Sequence, residues 1–123
     1  CNSVFAAAAA NNGYTIGGDV DQSKDSETVI TSSLKGLEAS VDLALTKYFE
    51  NKWEEVQGDT WLGIEENATG LPMETSRFEK FTQEDYDALT KGIIDGTYKV
   101  SYDFEGFLGG TETFSNVTVE FVE

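Results

Sequence analysis

Apolar and polar positions along the chain mark out an alternation of helices and strands. Asn2-Ser3 followed by the apolar run of residues 4–10, Val-Phe and then five alanines, predicts a helix with a polar N-cap. Alanine is the strongest helix former, and Asn and Ser are favoured caps. Asn11-Asn12-Gly13 reads as its stop, with Gly13 in the left-handed position. Residues 14–20 predict a short strand that ends on Gly17-Gly18-Asp19-Val20-Asp21-Gln22, and a polar loop follows over 22–27. Thr28-Val29-Ile30-Thr31 is a β-branched run that suits a second short strand, with Ser32 and Ser33 as caps for what comes next. From Leu34 the apolar residues recur at Leu37, Val41, Ala44, Leu45, Tyr48 and Phe49. Steps of three and four define the buried face of a long helix running to about Lys52, with Glu38, Asp42, Thr46 and Glu50 facing outward.

The second half repeats the alternation. Residues 53–58 form a connector, residues 60–64 (Thr-Trp-Leu-Gly-Ile) a strand, and residues 68–72 a turn. Residues 73–80 carry no regular pattern, with Phe78 and Phe81 placed to pack. Thr82 opens a helix as its cap, with Asp85 as the acid of a capping box and Phe81 and Tyr86 as a hydrophobic staple. Tyr86, Leu89, Ile93 and Ile94 are its expected buried face and Gly96 its end. Residues 97–104 alternate like a half-buried strand. Residues 105–111, with three glycines, form a loop, and residues 113–122 a last strand bearing Phe114, Val117, Val119 and Phe121. The order predicts an α/β layered sheet over residues 1–104, with a β-strand or hairpin appended over 105–123. A doubly wound unit opens with a strand, whereas here a helix comes first. The opening strand is therefore expected upstream of this sequence.

Composition narrows the function. The 123 residues carry 23 acidic and 8 basic side chains and no histidine, a formal net charge of −15. Such a surface repels phosphate backbones, which argues against nucleic acid as a partner. It also repels anionic lipid unless a covalent anchor holds it there. Without histidine the chain lacks the commonest general base and transition-metal ligand. A single cysteine excludes an internal disulfide and a thiolate zinc site. No stretch reaches the roughly 18 apolar residues of a bilayer span, and no signal peptide is visible. Cys1 invites comparison with a lipidated N-terminal cysteine, but lipoproteins continue into a polar tether. The apolar run at 4–10 wants burial instead, so Cys1 is read as part of a buried strand.

Candidate chemistry centres on Asp19 and Asp21, two carboxylates one residue apart at a strand end. In open α/β sheets the carboxyl ends of strands face the ligand crevice. Four readings stand together: a solvated acidic loop; a magnesium or calcium site, with no further run of oxygen ligands nearby; a phosphotransferase with an Asp nucleophile; and a carboxylate accepting hydrogen bonds from vicinal hydroxyls. Lys35, read in the first turn of the long helix, opposes the macrodipole by roughly 0.3–1 kcal/mol. A ligand contact or a solvated ammonium accounts for it equally. Asn2 and Ser3, at the start of the first helix, offer donors to a polar ligand or serve as plain caps. Trp53 and Trp61 are read as core or sheet-facing rather than as stacking platforms. The Asn-x-Thr sequons at Asn67 and Asn116 are read as chance.

The run from Gly17 to Gln22, then Val29-Ile30-Thr31-Ser32-Ser33-Leu34-Lys35-Gly36-Leu37, Leu62-Gly63-Ile64 and Gly70-Leu71, resembles the C-terminal part of the basic membrane protein family. The ending from Phe81-Thr82 to Lys99-Val100 is similar too, and the resemblance reaches about Tyr102. This is a family of lipid-anchored substrate-binding proteins of ABC importers, with purine-nucleoside receptors as its best-known branch. The resemblance implies one Rossmann-like lobe of a type I periplasmic-binding-protein fold, a second lobe upstream, and no enzymatic activity or cofactor. It implies a nucleoside ligand, permease and ATPase partners, and a place on the extracellular face of a bacterial membrane. An isolated lobe would also be free to self-associate. By the same resemblance Asp19 holds ribose hydroxyls, Lys35 helps bind the ligand, and Gly18, Asp21 and the Asn2-Ser3 turn line the site. The turn at Asn2-Ser3 lacks the glycines common in relatives, and the tail after residue 104 departs from the shorter family ending. The contrasting enzyme reading is a magnesium-dependent phosphatase built on Asp19 and Asp21.

Overall fold

In the computed structural model, which describes residues 2–100, the first helix is carried by its alanines: α1 spans Asn2–Ala10. Its end is a Schellman closure, in which Gly13 N–H donates to Ala8 O at 2.8 Å and Asn12 N–H to Ala9 O at 3.5 Å. The left-handed residue is Asn12, at φ 50°, not Gly13. Asparagine is one of the few side chains that visit this region routinely. Asn2 and Ser3 lie inside the helix rather than ahead of it, because adding a turn to a nucleated alanine run costs little. The apolar run is not buried as expected. Within α1 only Phe5 is buried, since the helix lies against the first strand along one narrow face.

Strand β1 (Thr15–Asp19) pairs in parallel with β2 (Val29–Lys35), and β2 pairs antiparallel with the two-residue β3 (Thr69–Gly70). The order β1-β2-β3 makes a small mixed sheet flanked by helices, an α/β unit consistent with one lobe of a periplasmic-binding-protein-like fold. A bulge between Thr15 and Ile16 shifts the register, so that Thr15 faces Val29 and Ile16 faces Thr31. Strand β2 is longer than expected. Ser32 and Ser33 are strand residues and not caps, and helix α2 starts at Leu37 instead of Leu34. Gly17 and Gly18 on one side and Thr69 and Gly70 on the other satisfy the backbone of residues 32–35 in a ladder. That outweighs the helical spacing seen in the sequence.

The core sits on the first half of β2. Val29 is 0% exposed, and Thr31 and Ser32 are buried beside it. Two buried hydroxyls at the centre need partners, and both have them. Thr31 Oγ1 and Ser76 Oγ are 2.7 Å apart, and Ser32 Oγ accepts Gln22 N–H at 3.0 Å. The segment after Pro72 is strapped to the sheet by Arg77. Its backbone N–H donates to Ile30 O at 2.6 Å, and its guanidinium to Val29 O at 2.5 Å and Ser23 O at 2.9 Å. The Arg77–Glu27 ion pair, at 3.6 Å with Glu27 almost fully exposed, adds little. Phe78 and Phe81 pack edge to face, 5.4 Å between ring centres, as the sequence predicts.

Several expectations fail for one reason: the described sheet is too small to cover what the periodicity offers. Helix α2 (Leu37–Phe49) is about 20 Å long at 1.5 Å per residue, and no residue of it is buried. Its predicted core face, Leu37, Val41, Leu45, Tyr48 and Phe49, is exposed. Trp53, at the head of a 3-10 turn (Trp53–Glu55), meets Tyr48 edge-on at 6.2 Å and is half exposed, while Trp61 is 79% exposed. Neither tryptophan is a core residue. Residues 60–64 form no strand. Their backbone closes on its own turn, with Gly63 N–H on the Glu66 carboxylate at 2.8 Å and Ala68 N–H on Gly63 O at 2.9 Å.

Helix α3 (Gln83–Ile94) has the predicted capping box. Thr82 Oγ1 accepts Asp85 N–H at 3.2 Å, and Asp85 Oδ2 accepts Thr82 N–H at 3.0 Å. Gly96, at φ 78°, follows its C-cap Asp95. Of its expected buried face, Leu89 and Ile94 are exposed and Tyr86 and Ile93 half-buried; the buried position is Gly92, covered by Tyr98. Residues 97–100 are not a strand, because Tyr98 N–H turns back to Gly92 O at 2.8 Å and Asp95 takes the Thr97 N–H and hydroxyl. Cys1, the remainder of the 97–104 strand, the 105–111 loop, the 113–122 strand and the Asn116 sequon lie outside the described residues. Among the described residues no helix is long and apolar enough to cross a membrane.

Two outcomes follow for stability. Arg77→Met leaves the Val29 and Ser23 carbonyls without their donors and is expected to lower unfolding free energy by about 1–3 kcal/mol, read from urea midpoints. An unchanged midpoint would show that the strap is not held by the guanidinium. Net charge of −15 sets carboxylates against one another, and raising salt from 0.1 to 1 M shortens the screening length from about 10 to 3 Å. The urea midpoint should therefore rise with potassium chloride, and a fall would contradict this account.

Candidate functional site

The parallel strands β1 and β2 end side by side, and β3 enters next to them. Asp19 faces Leu34, Leu34 faces Gly70, and Lys35 faces Thr69. A cavity of about 430 Å³ lies at these ends, lined chiefly by Asp19, Asp21, Lys35, Gly36, Asn67 and Thr69. Its size falls within the roughly 300–1,000 Å³ of small-molecule clefts. The position is the one that open α/β sheets use for ligands.

The pleat alone would separate the two charged candidates. Asp19 shares a sheet face with Leu34, and Lys35, one residue on, belongs to the opposite face. The backbone breaks the alternation at Asp19. Its φ is 67°, and Val20 N–H closes on Gly18 O at 2.8 Å, the hydrogen-bond pattern of a γ-turn centred on Asp19. Holding a non-glycine residue there costs on the order of 1–3 kcal/mol. Asp19 and Lys35 then line one cavity.

The two aspartates play different parts. Asp21 Oδ1 accepts Ser23 N–H at 2.9 Å, and Oδ2 accepts the Thr75 hydroxyl at 2.7 Å, tying the loop after β1 to the turn after Pro72. The Ser23 amide first, then the Thr75 hydroxyl, hold its carboxyl below the usual aspartate range. Asp19 accepts no hydrogen bond from the described residues, and Lys35, Asn67 and Thr69 likewise have no side-chain partner among them. With Asp21 committed to its loop, the pair does not present two free carboxylates. Among the described residues no cluster of three or more acidic, histidine or cysteine side chains is arranged to hold a metal ion.

Lys35 is placed differently from its sequence expectation. It ends β2, two residues before α2 begins, and Gly36 is the N-cap, so the argument from the helix dipole does not apply. Gly36 is required for a steric reason. A Cβ there would stand 2.3 Å from Asn67 O and 2.8 Å from Ala68 Cα, and Gly36 N–H donates to Ala68 O at 2.8 Å. Gly18 adjoins Asp19 without lining the cavity, and Asn2 and Ser3, in the first turn of α1, do not line it either.

Asn67 and Thr69 were not foreseen as site residues. Asn67 turns the chain at φ 55° and Thr69 pairs with Lys35, which together form the third wall. The signal in the sequence was the Asn-Ala-Thr-Gly string, which reads as a turn or a sequon. Only the antiparallel pairing puts it beside Lys35.

A small α/β sheet whose parallel strands end at a polar cleft is consistent with one lobe of a periplasmic-binding-protein-like fold. The chain belongs to the Bmp family: the family model described as ABC transporter substrate-binding protein PnrA-like matches residues 1–103. No curated protein matches the chain. The family assignment agrees with the resemblance read from the Gly17–Gln22 and Val29–Leu37 runs, and it makes substrate binding for transport the general role.

The lowered Asp21 pKa predicts an acid dependence. A depressed carboxyl contributes stability above its unfolded value of about 3.9, and that contribution is lost as pH falls through the folded value. Asp21→Asn should lower the urea midpoint at pH 6, and its difference from the parent should shrink between pH 5 and pH 3. A difference that stays constant over that interval would count against the Ser23 and Thr75 contacts.

Proposed function

We propose that the protein is the substrate-binding component of a bacterial ABC importer and that its ligand is a nucleoside, a purine nucleoside by resemblance. The observation that carries this reading is the uncommitted Asp19 carboxylate, held in a γ-turn at the end of β1 and sharing a cavity with Lys35, Asn67 and Thr69. A carboxylate accepts two hydrogen bonds from a vicinal diol, and charge-assisted bonds of this kind are about twice as strong as neutral ones. Lys35 donates to a ligand oxygen or ring nitrogen. The Asn67 amide and Thr69 hydroxyl supply donors and acceptors on the third side. Such a set suits a neutral, hydroxyl-rich ligand better than a phosphate, since the two carboxylates lining the cleft and a strongly acidic surface oppose an anion.

In this reading a second lobe closes over the cleft. The loaded protein delivers its ligand to a permease and ATPase at the outer face of the cell membrane, held there by a lipid anchor. Asp19 and Lys35 bind and orient the ligand, and no bond is made or broken.

Calorimetry of the full-length protein, as its gene encodes it, with adenosine, guanosine, inosine and free ribose tests the ligand class. Binding of at least one nucleoside at micromolar concentration is expected, and no heat at millimolar ligand would overturn the reading. Asp19→Ala should weaken nucleoside binding at least tenfold, about 1.4 kcal/mol. Undiminished affinity would remove Asp19 from the site. Magnesium-dependent turnover of a phosphate ester would favour the enzyme reading instead.

A further inference from the structure

The γ-turn at Asp19 is strained and solvent-exposed, so something must hold it. Three contacts converge on Gln22. Its backbone N–H donates to the Oγ of Ser32, which is 0% exposed, at 3.0 Å. Its side-chain Oε1 accepts Gly18 N–H, also at 3.0 Å. Its Nε2 donates to Asp25 Oδ2 at 3.2 Å, which fixes which way the amide faces. Gly18 is the first residue of the γ-turn, whose carbonyl receives Val20 N–H. Gln22 therefore binds the N–H of the same residue whose C=O closes the turn, four positions further along the loop.

The side chain lies over Gly17, where a Cβ would come within 3.0 Å of Gln22 Cβ and Oε1 and 2.4 Å of Ser32 Oγ. The absence of a side chain at Gly17 is what lets Gln22 reach the sheet. Ser32 anchors the loop to the central strand, and Gln22 passes that anchorage to Gly18 and so to Asp19. Gln22 does not line the cavity.

We propose that Gln22 is the positioning residue for Asp19: through the Gly18 amide and buried Ser32, it keeps the γ-turn closed and the carboxylate presented to ligand before ligand arrives. The proposal rests on the reading of Asp19 as a ligand residue, and it adds preorganisation of the site, which lowers the cost of binding.

Two substitutions separate the contact from the bulk of the side chain. Gln22→Met keeps the length and removes the acceptor, whereas Gln22→Glu keeps an acceptor oxygen for Gly18 N–H; the parent and both variants carry Asp25→Asn, which removes the carboxylate that Gln22 Nε2 meets. Amide exchange at Gly18, read by NMR without ligand, should speed at least tenfold in Gln22→Met and return to within about threefold of the parent in Gln22→Glu. Adenosine affinity of the full-length protein should fall at least fivefold in Gln22→Met and recover in Gln22→Glu, with both variants folded by circular dichroism. Unchanged Gly18 exchange in Gln22→Met overturns the proposal. Faster exchange with undiminished affinity also overturns it, because the contact would then not serve Asp19. If the parent protein binds no nucleoside, the functional reading falls separately, and Gly18 exchange alone decides whether Gln22 holds the turn.

Discussion

Gly17 has no room for a side chain, and the arrangement of the cleft depends on that. Because the space above it is taken by the Ser32 hydroxyl and by Gln22, the loop leaving β1 folds back onto the sheet instead of running into solvent. The parallel register that sets Gly17 beside Ser32 also sets Asp19 beside Leu34 and leaves Lys35 one step beyond. A methyl group at Gly17 would push against a fully buried hydroxyl on the central strand, where relaxation is hardest. The cleft at the strand ends is thus a consequence of close packing in the middle of the strands.

Polar groups do much of the work in this core. Apart from Val29 and Phe5, the buried side chains among the described residues are Ser23, Thr31 and Ser32. Hydroxyl pairs and the Arg77 guanidinium, rather than interlocking aliphatic side chains, join β2 to the loop after β1 and to the segment after Pro72. Such bonds are directional, so they fix geometry well while adding modest net stability each. Asp21 continues the pattern by reaching Thr75, which links the floor of the cleft to the segment that leads into α3. Apolar area, by contrast, lies on the outside of α2, where Leu37, Val41, Leu45, Tyr48 and Phe49 form a stripe that no described strand covers.

The division of labour between Asp19 and Asp21 comes from the same loop. One residue apart in sequence and identical in chemistry, they differ because one has two donors within reach and the other has none among the described residues. Asp21 meets the Ser23 amide in its own turn and the Thr75 hydroxyl from far along the chain, and these bonds consume it. Asp19, set in the γ-turn at the mouth of the sheet, takes up none of its hydrogen-bonding capacity with the described residues.

Sequence alone determined what local chemistry controls. The alanine helix, the strand running into Gly17-Gly18, the capping box of Thr82 and Asp85, the packing of Phe78 on Phe81, and Asp19 at a strand end were all legible. Each rests on residues close in the chain or on a family motif. Tertiary structure decided the rest. Ser32 and Ser33 became strand because Gly17 and Gly18 offered them a ladder, and Thr69 and Gly70 carried the strand on through Leu34 and Lys35. Lys35 moved from a helix to a strand end for the same reason. Asn12 took the left-handed turn that Gly13 was expected to take, and residues 60–64 closed on themselves when no neighbouring strand met them. Asn67 and Thr69 entered the cleft through a pairing more than thirty residues away in the chain. Such pairings decide where backbone hydrogen bonds go, and a backbone N–H has a single proton to give. Periodicity proposes the partners, and the register of distant strands chooses among them.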